Sequence, residues 1–69
     1  ISLSNQIVAT IQSLENGQLL TSVILKINDT LLESIITVDS SKRMNLQIGE
    51  VVTILIKASN LSIGEVLND

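Results

Sequence analysis

Hydrophobic positions along this chain follow the two-residue period of β-strands over most of its length. In the first apolar segment, Ile7, Ala9 and Ile11 fall on one face of an extended chain. β-branched residues dominate, and turn-forming residues recur at about the 8–12-residue spacing of small sandwiches and barrels. The predicted strands cover residues 6–14, 19–27, 31–38, 51–57 and 61–63.

The turns and the strand faces give further expectations. Asn16-Gly17 is the strongest hairpin signal, because both residues tolerate positive φ, and residues 28–30 supply the next turn. Both faces of strand 19–27 are rich in apolar residues, which indicates a strand covered on both sides. Strand 51–57 is a near-continuous apolar run, typical of a central strand with both faces buried.

One short helix is predicted where the alternation stops, at residues 41–44. Asp39 or Ser40 is the expected N-cap, and Asn45 suits the left-handed conformation that ends a helix. Lys42 and Arg43 are interpreted as cations near the carbonyl groups of the last turn.

This order of elements predicts the fold class. Five strands with one short helix between strands 3 and 4 is typical of an all-β, OB-like Greek-key barrel. The chain has no proline, so no strand has to be demoted to a sheet edge on that account. Residues 1–64 are expected to form the domain, and residues 65–69 an acidic tail.

Composition adds a requirement for partner chains. The chain has 69 residues, of which 45% are hydrophobic and none is aromatic. A domain of this size buries a small share of its surface, and without cysteine or histidine it lacks disulfides and the commonest metal ligands. Because large apolar patches are rare on monomers, the aliphatic excess indicates a homo-oligomer with buried interfaces.

Several functions are excluded by the same residues. A net charge of −3, four basic residues and no aromatic residue argue against nucleic-acid binding. The apolar runs are too short for membrane insertion, and no secretory signal opens the sequence, so a cytoplasmic location is expected. With no His, Cys or Tyr, and with widely spaced glycines, the chain is not expected to be an enzyme.

Four segments resemble the molbindins, the Mop or TOBE-type domains. Residues 2–6 read Ser-Leu-Ser-Asn-Gln, which is similar to the Ser-Ala-Arg-Asn-Gln opening of that family. Residues 36–40 are similar to its Ile-Thr-x-x-Ser, and residues 44–50 to its Leu-Gly-Leu-x-x-Gly-Asp/Glu. Residues 56–59 match Ile-Lys-Ala-Ser/Thr. The resemblance runs in order through residues 1–63.

This resemblance implies binding of molybdate or tungstate between subunits of a homo-oligomer, a hexamer built as a trimer of dimers. The role is storage and homeostasis, or sensing within a regulator or an importer ATPase. The bound ligand is the oxyanion, with no organic cofactor and no protein ligands to a metal cation. The implied oxyanion-binding residues are Ser2, Ser4 and Asn5 from one chain, with Thr37, Ser40, Lys57, Ala58 and Ser59 from its neighbour.

The residue types suit such a ligand, with one departure. A tetrahedral dianion needs many donors, which hydroxyl groups, backbone N–H groups and one ammonium supply. Ser40, near the helix start, is placed where unpaired N–H groups favour an anion. Ser4, however, stands where the family has arginine, so a fork of charged donors is replaced by one hydroxyl. Binding there is weaker, differently arranged or absent, and the alternative function is an oligomerisation or accessory module with degenerate anion sites.

Overall fold

A computed structural model describes residues 4–68 of the chain. Its elements, in order, are β1 (Ser4–Asn16), β2 (Leu20–Ile27), β3 (Thr30–Thr37), α1 (Val38–Met44), β4 (Val51–Lys57) and a 3₁₀ turn (Ala58–Asn60). The strands form one antiparallel sheet in the order β3-β2-β1-β4. The first four predicted strands and the helix between the third and fourth are therefore confirmed.

Strand β1 holds the sheet together because it pairs with a different strand at each end. Its first half pairs with β4, from Ser4 opposite Lys57 to Thr10 opposite Val51. Its second half pairs with β2, from Thr10 opposite Lys26 onward, with a bulge between Ile11 and Ser13. A bulge bends the strand and increases its twist, so the two halves of the sheet curve around one concave face.

The first hairpin forms where predicted but not by the predicted mechanism. Neither Asn16 nor Gly17 has a positive φ. Strand β2 begins at Leu20, so Leu19 belongs to the connection between the strands. A loop longer than two residues does not need the type I′ turn, in which both central residues have positive φ. Asn16 instead accepts a hydrogen bond from the Thr21 hydroxyl at 2.7 Å. The positive φ, 52°, occurs at Asn28 in the next hairpin.

Helix α1 begins earlier than predicted. Its N-cap is Thr37, whose Oγ1 accepts a hydrogen bond from the Ser40 backbone N–H at 3.1 Å, so the expected cap at Asp39 or Ser40 is wrong. The reason is that β3 ends in extended geometry with a hydroxyl already three residues before that N–H. The left-handed end at Asn45 is confirmed, with φ 51° and ψ 49°.

Two expectations about strands fail. β4 is an edge strand rather than a central one, and its residues Val51 and Leu55 are exposed. Residues 61–63 form no strand, and residues 61–68 have no regular secondary structure. The described chain is thus an open four-stranded sheet, and a closed five-stranded barrel is not formed within it. An apolar run indicates that both faces of a strand are removed from water. It does not indicate whether the residues that bury them belong to the same chain.

The core is small for so apolar a chain. Its buried hydrophobic residues are Ala9, Ile11, Val23 and Leu25, contributed by the two central strands. The outer face of β2 is not covered as predicted, since Leu20 is 54% exposed. In residues 4–68, no helix is both long enough and apolar enough to cross a membrane.

Candidate functional site

Five of the predicted site residues lie where β1 starts and β4 ends, and we call them the strand-end group: Ser4, Asn5, Lys57, Ala58 and Ser59. Ser4 lies directly opposite Lys57 in the register of the sheet. Opposed residues in an antiparallel pair project from the same face, so the side chains of Ser4 and Lys57 leave the sheet next to each other. Ala58 and Ser59 follow at once in the 3₁₀ turn.

The strand-end group is exposed and loosely held. Among its side chains, Asn5 donates from Nδ2 to the carbonyl oxygen of Ile56 at 3.4 Å, which is a long hydrogen bond. Lys57 is the N-cap of the 3₁₀ turn but makes no side-chain capping bond there. Its ammonium and the nearby hydroxyls therefore keep donors available for a ligand.

The second group, which we call the helix cluster, consists of Thr37, Ser40 and Arg43. The Thr37 hydroxyl lies 2.9 Å from the Ser40 hydroxyl. The Arg43 guanidinium donates from Nη2 to the same Ser40 oxygen at 3.1 Å. Two predicted site residues are thus joined to a cation that the sequence had placed at the helix end only.

One predicted donor of the helix cluster is already in use. The backbone N–H of Ser40 donates to the Thr37 cap, so it is not free to meet an anion as the helix-start argument expected. The capping bond that starts the helix consumes it, because a hydroxyl three residues earlier is the nearest acceptor. What this cluster offers a ligand is side-chain chemistry: two hydroxyl groups and one guanidinium.

The two groups lie at opposite ends of the sheet. Thr37 pairs with Leu20 at the start of β2, which lies beside the end of β1, whereas Ser4 is the first residue of β1. Strand β1 has 13 residues, enough to span about 40 Å when straight. A single copy therefore does not bring the predicted site residues together. Ser2 lies outside the described residues.

The concave face of the sheet carries an apolar groove that the sequence reading did not locate. It is lined by β-strand residues from all four strands and by two residues at the end of the helix: Ile11, Val23, Leu25, Ser34, Ile36, Met44, Leu46, Val52, Thr53, Ile54 and Leu55. The groove gives no polar anion site. In the described part of the chain there is also no cluster of three metal-ligating side chains.

Comparison with known proteins identifies the family. The TOBE domain family model matches residues 1–63, nearly the whole chain. The chain belongs to the TOBE domain family. Comparison with curated protein sequences found no match. TOBE membership makes this chain a binding domain rather than an enzyme.

Two solved structures are similar to this TOBE domain. A molybdate-binding protein from Sporomusa ovata has 28% sequence identity and a TM-score of 0.85, covering 88% of this chain and 91% of its own. MopII from Clostridium pasteurianum, in a form designated apo2, has 26% identity and a TM-score of 0.83, covering 88% and 92%. The OB-like fold expected from the element order is consistent with these neighbours.

Proposed function

We propose that this TOBE domain binds a tetrahedral oxyanion, molybdate or tungstate, at contacts between identical subunits. The observation that carries the proposal is the presence of two anion-suited donor groups at opposite ends of one sheet, in a chain similar to a molybdate-binding protein. In this arrangement the strand-end group of one copy meets the helix cluster of a neighbour.

The donors suit the ligand. Molybdate is a dianion with four oxygens, and it is recognised by several donors and few full charges. Ser4 and Asn5 from one side, with Thr37 and Ser40 from the other, supply hydroxyl and amide donors. Lys57 supplies a positive charge directly beside Ser4. Such local donors allow a chain of net charge −3 to hold an anion.

Exposed apolar surface supports the subunit contact. Beyond the 3₁₀ turn, Ile63 is 90% exposed and Leu67 is 83% exposed, while the concave groove is lined mainly by aliphatic side chains. A second copy that supplies an apolar segment to this groove removes both surfaces from water. We propose that the assembly is a hexamer, a trimer of dimers.

The cellular role proposed for this binding is molybdate or tungstate storage and homeostasis. Reversible capture of the oxyanion by a binding domain serves that purpose without any chemical change in the ligand. The same site serves as the sensing domain of a regulator or a transporter where a longer protein carries it.

Titration calorimetry with molybdate and tungstate tests the function, with sulfate and phosphate as controls. We expect saturable binding of both metalates and weak competition by sulfate. Lys57→Ala is expected to lower the affinity about tenfold or more, because a charged donor is lost. Lys26→Ala is the matched control, since Lys26 is also an exposed strand lysine but pairs with Thr10 in mid-sheet. It should bind as the unaltered protein does.

Absence of heat and of a thermal shift with either metalate would contradict the proposal. That result favours the alternative function, an oligomerisation or accessory module, which the serine at position 4 supports because it removes a charged donor from the strand-end group. Sedimentation at micromolar concentration tests the assembly separately: a hexamer is expected, and a monomer contradicts the subunit-contact site.

A further inference from the structure

We propose that Arg43 is an anion-binding residue of the helix cluster and supplies the second positive charge of the oxyanion site. This inference rests on the proposed function, because it adds a residue to that site. The Arg43 guanidinium contacts the Ser40 hydroxyl at 3.1 Å, and that hydroxyl contacts Thr37 at 2.9 Å. A shallow recess beside them is lined by Ser40, Arg43 and Met44.

Hydrogen-bond accounting shows what the cluster has left for a ligand. The Ser40 N–H and the Arg43 N–H must both donate, to the hydroxyl oxygens of Thr37 and Ser40 respectively. One hydroxyl donates to the other, so the remaining hydroxyl proton has no acceptor within the cluster. The guanidinium carries five N–H donors and uses one of them here. The cluster is therefore rich in donors, and an oxyanion is the ligand class that accepts them.

Charge balance points the same way. Arg43 donates to a neutral hydroxyl, so this contact leaves its positive charge uncompensated. Asp39 and Lys42 of the same helix carry opposite charges, so Arg43 of one copy and Lys57 of the next leave two positive charges in excess, which matches the charge of molybdate. A planar guanidinium also presents two parallel N–H groups to two ligand oxygens, a geometry that an ammonium lacks.

The Arg43 guanidinium lies toward the start of the helix, in the direction that long helical side chains commonly take, and this places it beside the Ser40 hydroxyl. A cation at the end of a helix stabilises the last-turn carbonyl groups by lying near them. Arg43 lies in the last turn, but its Nη2 reaches back to Ser40, three residues nearer the start of the helix. Lys42 lies in the same turn and supplies the helix-end charge without Arg43.

Calorimetry on three variants tests the inference: Arg43→Gln, Arg43→Lys and the control Lys42→Gln, which removes the adjacent charge on the same helix. We expect Arg43→Gln to weaken molybdate binding about tenfold to a hundredfold, the range for a charge-assisted hydrogen bond. Arg43→Lys should recover part of the loss. Lys42→Gln should change the affinity by less than about twofold, as for most surface substitutions. Thermal melting curves establish that each variant is folded.

A second measurement needs no variant. Arg43 is the only arginine in the chain, so its side-chain Nε–H gives a single, assignable NMR signal. We expect that signal to shift when molybdate is added and to move much less at the same concentration of sulfate. If the unaltered protein binds molybdate while this signal stays fixed and Arg43→Gln binds normally, the role of Arg43 is wrong and the proposed function stands. If the unaltered protein binds no metalate, the proposed function itself fails.

Discussion

The strand-end group and the helix cluster hold similar donors in different ways. In the helix cluster, three hydrogen bonds join Thr37, Ser40 and Arg43, so the donors are arranged before any ligand arrives. In the strand-end group, the side-chain hydrogen bond is one long bond from Asn5, and Lys57 makes no side-chain capping bond to the 3₁₀ turn. The difference indicates that one side of the proposed site is pre-organised while the other is ordered on binding, which costs conformational entropy.

The largest effect on stability is expected in the middle of β1, the strand that runs between the two regions. Ile11 lies in the middle of β1 and is 1% exposed. Ile11→Ala leaves a cavity that costs about 2–5 kcal/mol, a large share of the stability of so small a domain. Chemical denaturation should show this loss, and both donor groups should be lost together. Thr10→Val, at an exposed neighbouring position, is the control and should stay within about 0.5 kcal/mol.

The next largest effect on stability is expected at the end of α1, the helix that carries Ser40 and Arg43. Asn45 ends α1 in the left-handed conformation, at φ 51°. Asn45→Ala should lower the free energy of unfolding by about 1–2 kcal/mol. Alanine is strained in the left-handed conformation, because it lacks the short polar side chain with which asparagine can hydrogen-bond locally. Asn45→Gly should keep the stability, since glycine adopts this conformation freely. Equal melting temperatures for the two variants would contradict the assigned backbone geometry.

A smaller effect separates capping from ligand binding within the helix cluster. Thr37→Val removes the capping hydroxyl at constant shape and should lower the free energy of unfolding by about 1 kcal/mol. Thr37→Ser keeps the hydroxyl and should restore most of the stability. Metalate affinity should fall for Thr37→Val alone, measured by calorimetry on the folded protein.

The smallest effect on stability is expected in the strand-end group. Asn5→Ala removes an exposed hydrogen bond of 3.4 Å and should change the free energy of unfolding by less than about 0.5 kcal/mol. Its effect should appear in metalate binding instead, through a faster release of the ligand. If Asn5→Ala strongly lowered the free energy of unfolding and left the metalate affinity unchanged, the description of the strand-end group as loosely held and ligand-binding would be wrong.

Local chemistry made much of the fold predictable. The first four strands, the helix between the third and fourth, and the left-handed Asn45 depend on residues near one another in the chain, and all three are confirmed. Expectations that needed knowledge of distant neighbours fared worse. The apolar run of β4 predicts a central strand, but β4 lies at an edge. The hairpin at Asn16-Gly17 forms without positive φ at either residue. Sheet order and loop length are set by packing across the whole sheet.

The candidate site shows the same difference between what local residues predict and what the fold decides. The resemblance to molbindins nominated hydroxyl, amide and ammonium groups whose chemistry suits an oxyanion, but their grouping required coordinates. Arg43 was assigned to the helix end because spacing along a helix does not reveal which way a long side chain turns. Its contact with Ser40 depends on the early start of α1 at Thr37, which places that hydroxyl within reach.

The sequence by itself determined the first four strands and where the helix ends, and the functional groups that it places in the two groups suit an oxyanion. These properties follow from side-chain periodicity, backbone preference and functional groups, which each residue carries with it. Tertiary structure alone decided that β4 lies at an edge and that the donors form two groups at opposite ends of the sheet. Those outcomes depend on contacts between residues far apart in the chain, and the free energy of such contacts is fixed only when the whole sheet is assembled.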